Sequence, residues 1–151
     1  MIADRKSAAS AVPPPGRASF SDVISKTSVI ILCCPLTADT RDLISEQELS
    51  SMLPDAIVIN VGRGGIVNEP ALVRALKEGR IGGAASDVFE KEPASKETSP
   101  LLEDGIPNFV ASPHLAWYAE STVETLTNTI IGNVNGFVIG EIQNVVVGPA
   151  S

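Results

Sequence analysis

Residues 56–93, AIVINVGRGGIVNEPALVRALKEGRIGGAASDVFEKEP, read as strand, helix and strand. Residues 56–61 (AIVINV) form a β-branched apolar run that stops at Gly62-Arg63-Gly64-Gly65, the pattern of a strand running into a glycine turn. Asn68 then stands at a helix N-cap position, Pro70 falls in the first turn and Gly79 comes just past the end. Leu72, Val73 and Leu76 give that helix one apolar face. Residues 82–88 (GGAASDV) form the next strand and run into Phe89-Glu90-Lys91-Glu92-Pro93. Two strands joined by a crossover helix through short connections lie parallel. This stretch therefore specifies an α/β fold.

The pattern extends in both directions. Upstream, residues 28–33 (SVIILC) are a continuous apolar run, as for a strand buried on both faces. Residues 43–54 carry a helix signature: Ser45 and Glu48 form a capping box, Ile44 and Leu49 a hydrophobic staple, and Pro54 a stop. Residues 20–26 suit one or two helical turns capped by Ser19 or Ser21, and residues 7–19 (SAASAVPPPGRAS) read as a loop. Downstream, residues 90–103 form a polar loop with Pro93 and Pro100, and residues 108–112 (NFVAS) a strand leading to Pro113 and His114. Residues 119–139 have a helical stripe of Val123, Leu126, Ile130, Val134 and Phe137, weakened by Gly132 and Gly136. The order predicts one domain built on a doubly wound parallel sheet.

Composition narrows the function. The chain has 151 residues, 44% of them hydrophobic, and a net charge of -7. Arg5-Lys6 is the longest basic run, so no basic stripe exists to displace counterions from a nucleic acid. Cys33 and Cys34 are adjacent, which disfavours a mutual bridge, and no cysteine spacing suits a metal. They read as buried thiols of a reducing compartment. The N-terminal segment MIADRKSAAS lacks the apolar run of a signal peptide, and no stretch has the length of a membrane span. A soluble, cytoplasmic protein is the expectation.

In an open parallel sheet, ligands bind beyond the carboxyl ends of the strands. Three such ends carry Arg63, Glu92 and His114, the only histidine. Arg63 is a planar fork for a carboxylate, although a glycine turn with a solvated arginine fits its spacing equally well. Glu92 alone reads as a surface residue and His114 alone as a structural one. Together, a carboxylate that orients an imidazole is what general acid/base chemistry needs. Asp87 ends its strand, where it could cap the turn or accept a hydrogen bond from a ligand amide. Trp117 and Tyr118 read as packing onto the next helix.

Residues 34–45 (CPLTADTRDLIS), 59–93 and 112–117 (SPHLAW) closely resemble the D-isomer-specific 2-hydroxyacid dehydrogenases, and the match runs from about Asp4 to about Val146. The resemblance implies a Rossmann nucleotide-binding domain and an NAD(P)-dependent oxidoreductase acting on the CH–OH group of a small 2-hydroxy acid. It implies that Arg63 holds the substrate carboxylate and polarises the carbonyl. His114 would be the acid/base, and Glu92 its partner, favouring imidazolium. Asp87 would hold the nicotinamide carboxamide, with backbone contacts from Val61 and Gly62 near that ring; Arg63 and His114 would also touch the cofactor, and Ala116 would follow the histidine in the cofactor wall. Cys34, Pro35 and Thr40 would lie beside the adenosine. Asp4 falls where a ribose-binding acid favours NAD, while Arg5 and Lys6 leave NADP open. A homodimer is the assembly the family implies. Residues 114–118 (HLAWY) also resemble the C-terminal-binding-protein corepressors, so a non-catalytic dinucleotide-binding assembly module is the alternative.

Family members are longer. Their separate substrate-binding domain, first strand and G-x-G-x-x-G phosphate loop are not seen here. The expectation is thus a partial nucleotide-binding domain over residues 1–146 with a tail at 147–151, either a truncated member or an inactive fragment. Without the first strand, central sheet edges would stand unpaired, and dinucleotide binding by the chain alone would be weak or absent.

Overall fold

A computed structural model describes residues 1–6 and 12–146. The first half of the proline-rich loop, residues 7–11, and the tail at 147–151 lie outside the described residues. In chain order the elements are α1 (Phe20–Lys26), β1 (Val29–Leu32), α2 (Glu46–Ser51), β2 (Ile57–Asn60), α3 (Glu69–Lys77), β3 (Gly83–Ser86), a 3-10 turn (Pro100–Leu102), β4 (Phe109–Ala111) and α4 (Glu120–Ile139). The chain divides into one compact unit, Met1–His114, and a second that begins at Leu115. Among the described residues no helix is long and apolar enough to cross a membrane.

The first unit is built on a parallel sheet in the order β1-β2-β3-β4. Val29 pairs with Ile57, Ile57 with Gly83, and Ala84 with Phe109. Each strand lies beside the next in sequence, so every crossover advances in one direction. Crossovers of one hand advancing one way place their connections on one side of the sheet. That side holds the core. Ile30, Leu32, Val58 and Ala84 meet Ile44, Leu49, Leu72 and Leu76, all of them buried.

The other side differs from the sequence reading. β1 is not buried on both faces: Val29 and Ile31 are 50% and 59% exposed, while Ile30 and Leu32 are buried. Ile57 and Val110 are also exposed on their strands. The physical reason is the one-way winding, which covers a single face. Among the described residues β1 stands at the edge of the sheet, paired with β2.

Local signals explain the element boundaries. Asn68 caps α3, its side-chain oxygen accepting from the Ala71 N–H at 3.0 Å. Glu48 Oε2 accepts from the Ser45 N–H at 3.0 Å and from its hydroxyl at 3.2 Å, and Ile44 and Leu49 are fully buried. The helix is shorter than residues 43–54. It ends at Ser51, and Met52 is extended, because the approach to Pro54 disfavours helical backbone.

In the second unit α4 is a 20-residue helix that ends in a left-handed Gly140. Its expected apolar stripe is mostly exposed, with Leu126, Ile130, Val134 and Phe137 between 48% and 75% accessible. The Trp117 and Tyr118 rings stack edge to face with centroids 5.4 Å apart.

Candidate active site

The turn after β2 is folded by Asn60. Its side-chain oxygen accepts from the Gly62 N–H at 3.1 Å, and its amide donates to the Arg63 carbonyl at 3.0 Å. Two glycines let this turn pack tightly. A Cβ on Gly62 would stand 2.7 Å from the Cys34 carbonyl oxygen, and a Cβ on Gly64 would overlap the backbone of Phe89 and Glu90. The arginine turn and the loop after β3 are therefore pressed together, backbone against backbone. Arg63 itself is exposed, and Nη1 donates to the Gly62 carbonyl at 2.7 Å.

The loop after β3 presents Glu92. The Phe89 N–H donates to Glu92 Oε1 at 2.9 Å. The other oxygen, Oε2, lies 2.8 Å from His114 Nδ1. The two side chains are 36% and 39% exposed, so the pair is open to solvent on one side. They border a cleft of about 550 Å³, walled by Phe89, Ala94, Leu102 and Ala111.

His114 is held in an unusual backbone conformation. Its φ is +57°, and the other non-glycine residues at positive φ among those described are Asp42, Asn108 and Asn144. Asn, Asp and His enter this region more readily than other side chains, but it still costs free energy that the surroundings must offset. The offset is visible: the His114 N–H donates to the Asp87 carbonyl at 2.8 Å. The Asp87 side chain is buried and accepts from the Ser112 hydroxyl at 2.5 Å. Asp87 thus fixes the exit of β4 by backbone and side chain together.

Burial raises the pKa of Glu92, but the His114 hydrogen bond, the Phe89 N–H and the charges of His114 and Arg63 outweigh it. The carboxyl is held below its ordinary value of 4.5. The folded state thus binds the proton less tightly than the unfolded chain. The pair's contribution to stability is present above the ordinary value and is lost as pH falls through the depressed one. Urea unfolding of wild type and Glu92→Gln is expected to show a gap at pH 7 that narrows on acidification to about pH 3.

The sequence-predicted residues fall into groups. Arg63, Asp87, Glu92 and His114 come together at the ends of β2, β3 and β4, with Val61 and Gly62 beside them on the β2 turn. Asp4, Cys34, Pro35 and Thr40 line a different cleft of about 760 Å³ along β1. There Thr40 Oγ1 folds the loop, donating to the Pro35 carbonyl and accepting from the Thr37 N–H, each at 2.7 Å. Asp4 Oδ1 accepts from the Arg5 N–H at 2.9 Å. Both cysteines are free thiols, but Cys33 is exposed and Cys34 half-buried rather than buried, Cys33 continuing the uncovered face of Val29 and Ile31. Ala116 belongs to the second unit. Sequence reasoning missed Ser112 and the packing role of Gly64.

A parallel α/β sheet with arginine, carboxylate and histidine on its carboxyl rim has the form of a Rossmann-like domain. Residues 2–116 match the NAD binding domain of the D-isomer specific 2-hydroxyacid dehydrogenases, and the chain belongs to that family. Glycerate dehydrogenase from Methylorubrum extorquens is 40% identical over 134 residues, which are 89% of this chain and 42% of that protein. D-lactate dehydrogenase from Aquifex aeolicus, solved with NAD and lactic acid, superposes with a TM-score of 0.77 at 28% identity, covering 89% of this chain and 45% of that one. An acyclic imino acid reductase in complex with NADPH and D-Arg gives 0.76 at 31% identity, covering 87% and 41%. The chain spans about two fifths of the length of the curated relative it matches.

Proposed function

We propose that this chain supplies the nucleotide side of an NAD(P)-dependent oxidoreductase that interconverts a small 2-oxo acid and its 2-hydroxy acid. The observation that carries the reading is the 2.8 Å contact between Glu92 Oε2 and His114 Nδ1, with the Arg63 charge acting on the same carboxylate. An assembly module needs no such acid/base pair, which favours catalysis over the corepressor-like alternative.

The residues fit a dinucleotide. Clefts of about 760 and 550 Å³ reach the strand ends, within the usual range for ligand sites, and Gly62 lets backbone approach closely at the β2 turn. A bound nicotinamide would supply or accept the hydride. Arg63 would bind the substrate carboxylate through its planar fork. With Nδ1 held by Glu92, proton exchange with the substrate oxygen falls to His114 Nε2. Glu92 in its ionised form orients the ring and stabilises the imidazolium.

The test is a graft. Residues 2–116 replace the matching segment of the Methylorubrum extorquens enzyme, and reduction of hydroxypyruvate by NADH is followed. Turnover is expected, and Arg63→Ala in the graft should lower kcat/KM roughly 10- to 10²-fold, the worth of a hydrogen bond to a charged group. A folded graft that binds NADH yet reduces neither hydroxypyruvate nor glyoxylate would refute the reading.

A further inference from the structure

We propose that Glu69 is a positioning residue for the Glu92–His114 pair, an inference that rests on the acid/base reading above. Glu69 is the first residue of α3 and is only 5% exposed. Both carboxylate oxygens are engaged. Oε1 accepts from the Glu90 N–H at 2.8 Å, and Oε2 accepts from the Ser99 hydroxyl at 2.6 Å.

Glu90 and Ser99 bracket the segment that carries Glu92. Ser99 is 1% exposed, and its Oγ also accepts from the Leu101 N–H at 3.3 Å, capping the 3-10 turn. Within the bracket, the Ser95 N–H donates to Thr98 Oγ1 at 2.8 Å and the Ser99 N–H to the Ser95 carbonyl at 3.0 Å. Glu92 thus stands on an exposed loop whose two ends are clasped by one buried carboxylate. The same carboxylate sits six residues after Arg63, at the base of the helix that follows the arginine turn. It ties the Arg63 side of the site to the Glu92 side.

A simpler role for Glu69 would be charge compensation at a helix N-terminus. The two roles make different demands. Charge compensation needs only a negative group there, so Asp would serve and Gln would not. The clasp needs reach and two polar atoms. Gln meets that demand, its oxygen accepting from Glu90 and its amide donating to the Ser99 hydroxyl, whereas Asp is one methylene short.

His114 is the only histidine, so one set of imidazole nitrogen signals reports the pair. The experiment compares the ¹⁵N signals of His114 in the full chain at pH 7. Glu92→Gln defines the shift of Nδ1 when its carboxylate partner is removed. Glu69→Ala and Glu69→Asp are expected to move the signal most of the way to that position, and Glu69→Gln to leave it near wild type. Ser99→Ala, which opens one arm of the clasp, should give a smaller shift in the same direction and decides the matter if Glu69→Ala does not fold. A folded Glu69→Ala, or failing that Ser99→Ala, with wild-type His114 signals overturns the positioning role. If Glu92→Gln itself leaves Nδ1 unmoved, the acid/base pair is wrong and the proposal falls with it.

Discussion

Replacing His114 by alanine is expected to lower hydroxypyruvate reduction by the grafted enzyme about 10²- to 10⁴-fold, the usual worth of a general acid/base, with NADH binding nearly unchanged. The residue has two duties, and a good test separates them. In the proposed reaction its imidazole exchanges the proton, and its backbone occupies the left-handed region at φ +57°. Alanine loses the ring and keeps the backbone strain. Asparagine tolerates that backbone, as Asn108 and Asn144 do. If the chemistry is what matters, His114→Asn should be as inactive as His114→Ala although it folds more readily. Glu92→Gln should lose less, since the ring remains. The double variant should be no worse than His114→Ala, because groups acting as a unit are not additive. Full turnover by a folded His114→Asn enzyme would remove the histidine from the mechanism.

Gly64→Ala is expected to destabilise the chain by about 4 kcal/mol or more, a loss seen only for a few severe mechanisms. The added Cβ would overlap the carbonyl of Phe89 and crowd the Glu90 nitrogen. These are backbone atoms and cannot rotate aside as a side chain could. Melting should fall by roughly 10 °C for a domain of this size. Gly132→Ala in α4 is the informative contrast. Its Cβ would meet only Gln143 Oε1 at 3.9 Å, and alanine favours a helix over glycine by about 1 kcal/mol, so that variant should melt higher. A Gly64→Ala chain that melts as wild type would mean that the two loops are not in close contact.

The sequence displayed what is encoded by near neighbours. Asn68 and the Ser45–Glu48 spacing announce their helices because a cap acts over three residues. Arg63, Glu92 and His114 could be placed on one rim because strand ends are visible as breaks in apolar runs. Contacts between distant segments were not legible. Ser112 meets Asp87 across 25 residues and Ser99 meets Glu69 across 30, and no local spacing marks either. Gly64 looks like any turn glycine until the facing loop is known. The apolar run of β1 suggested burial on both faces, but composition alone does not say how many faces the topology covers.

The strand order has a consequence for how the sheet forms and opens. Registered partners lie 28, 26 and 25 residues apart along the chain from β1 to β4. Loop-closure entropy depends only weakly on length, so each strand joins its neighbour at nearly the same entropic cost. The sheet can grow as a zipper of equivalent steps, with pairings that remain local for a parallel topology. A zipper also opens from its ends. β4 has three residues and one neighbour, which puts it among the low-stability elements of the unit. When it detaches, the register that holds His114 beside Glu92 goes with it, so local opening at one edge would separate the proposed acid/base pair before the core unfolds.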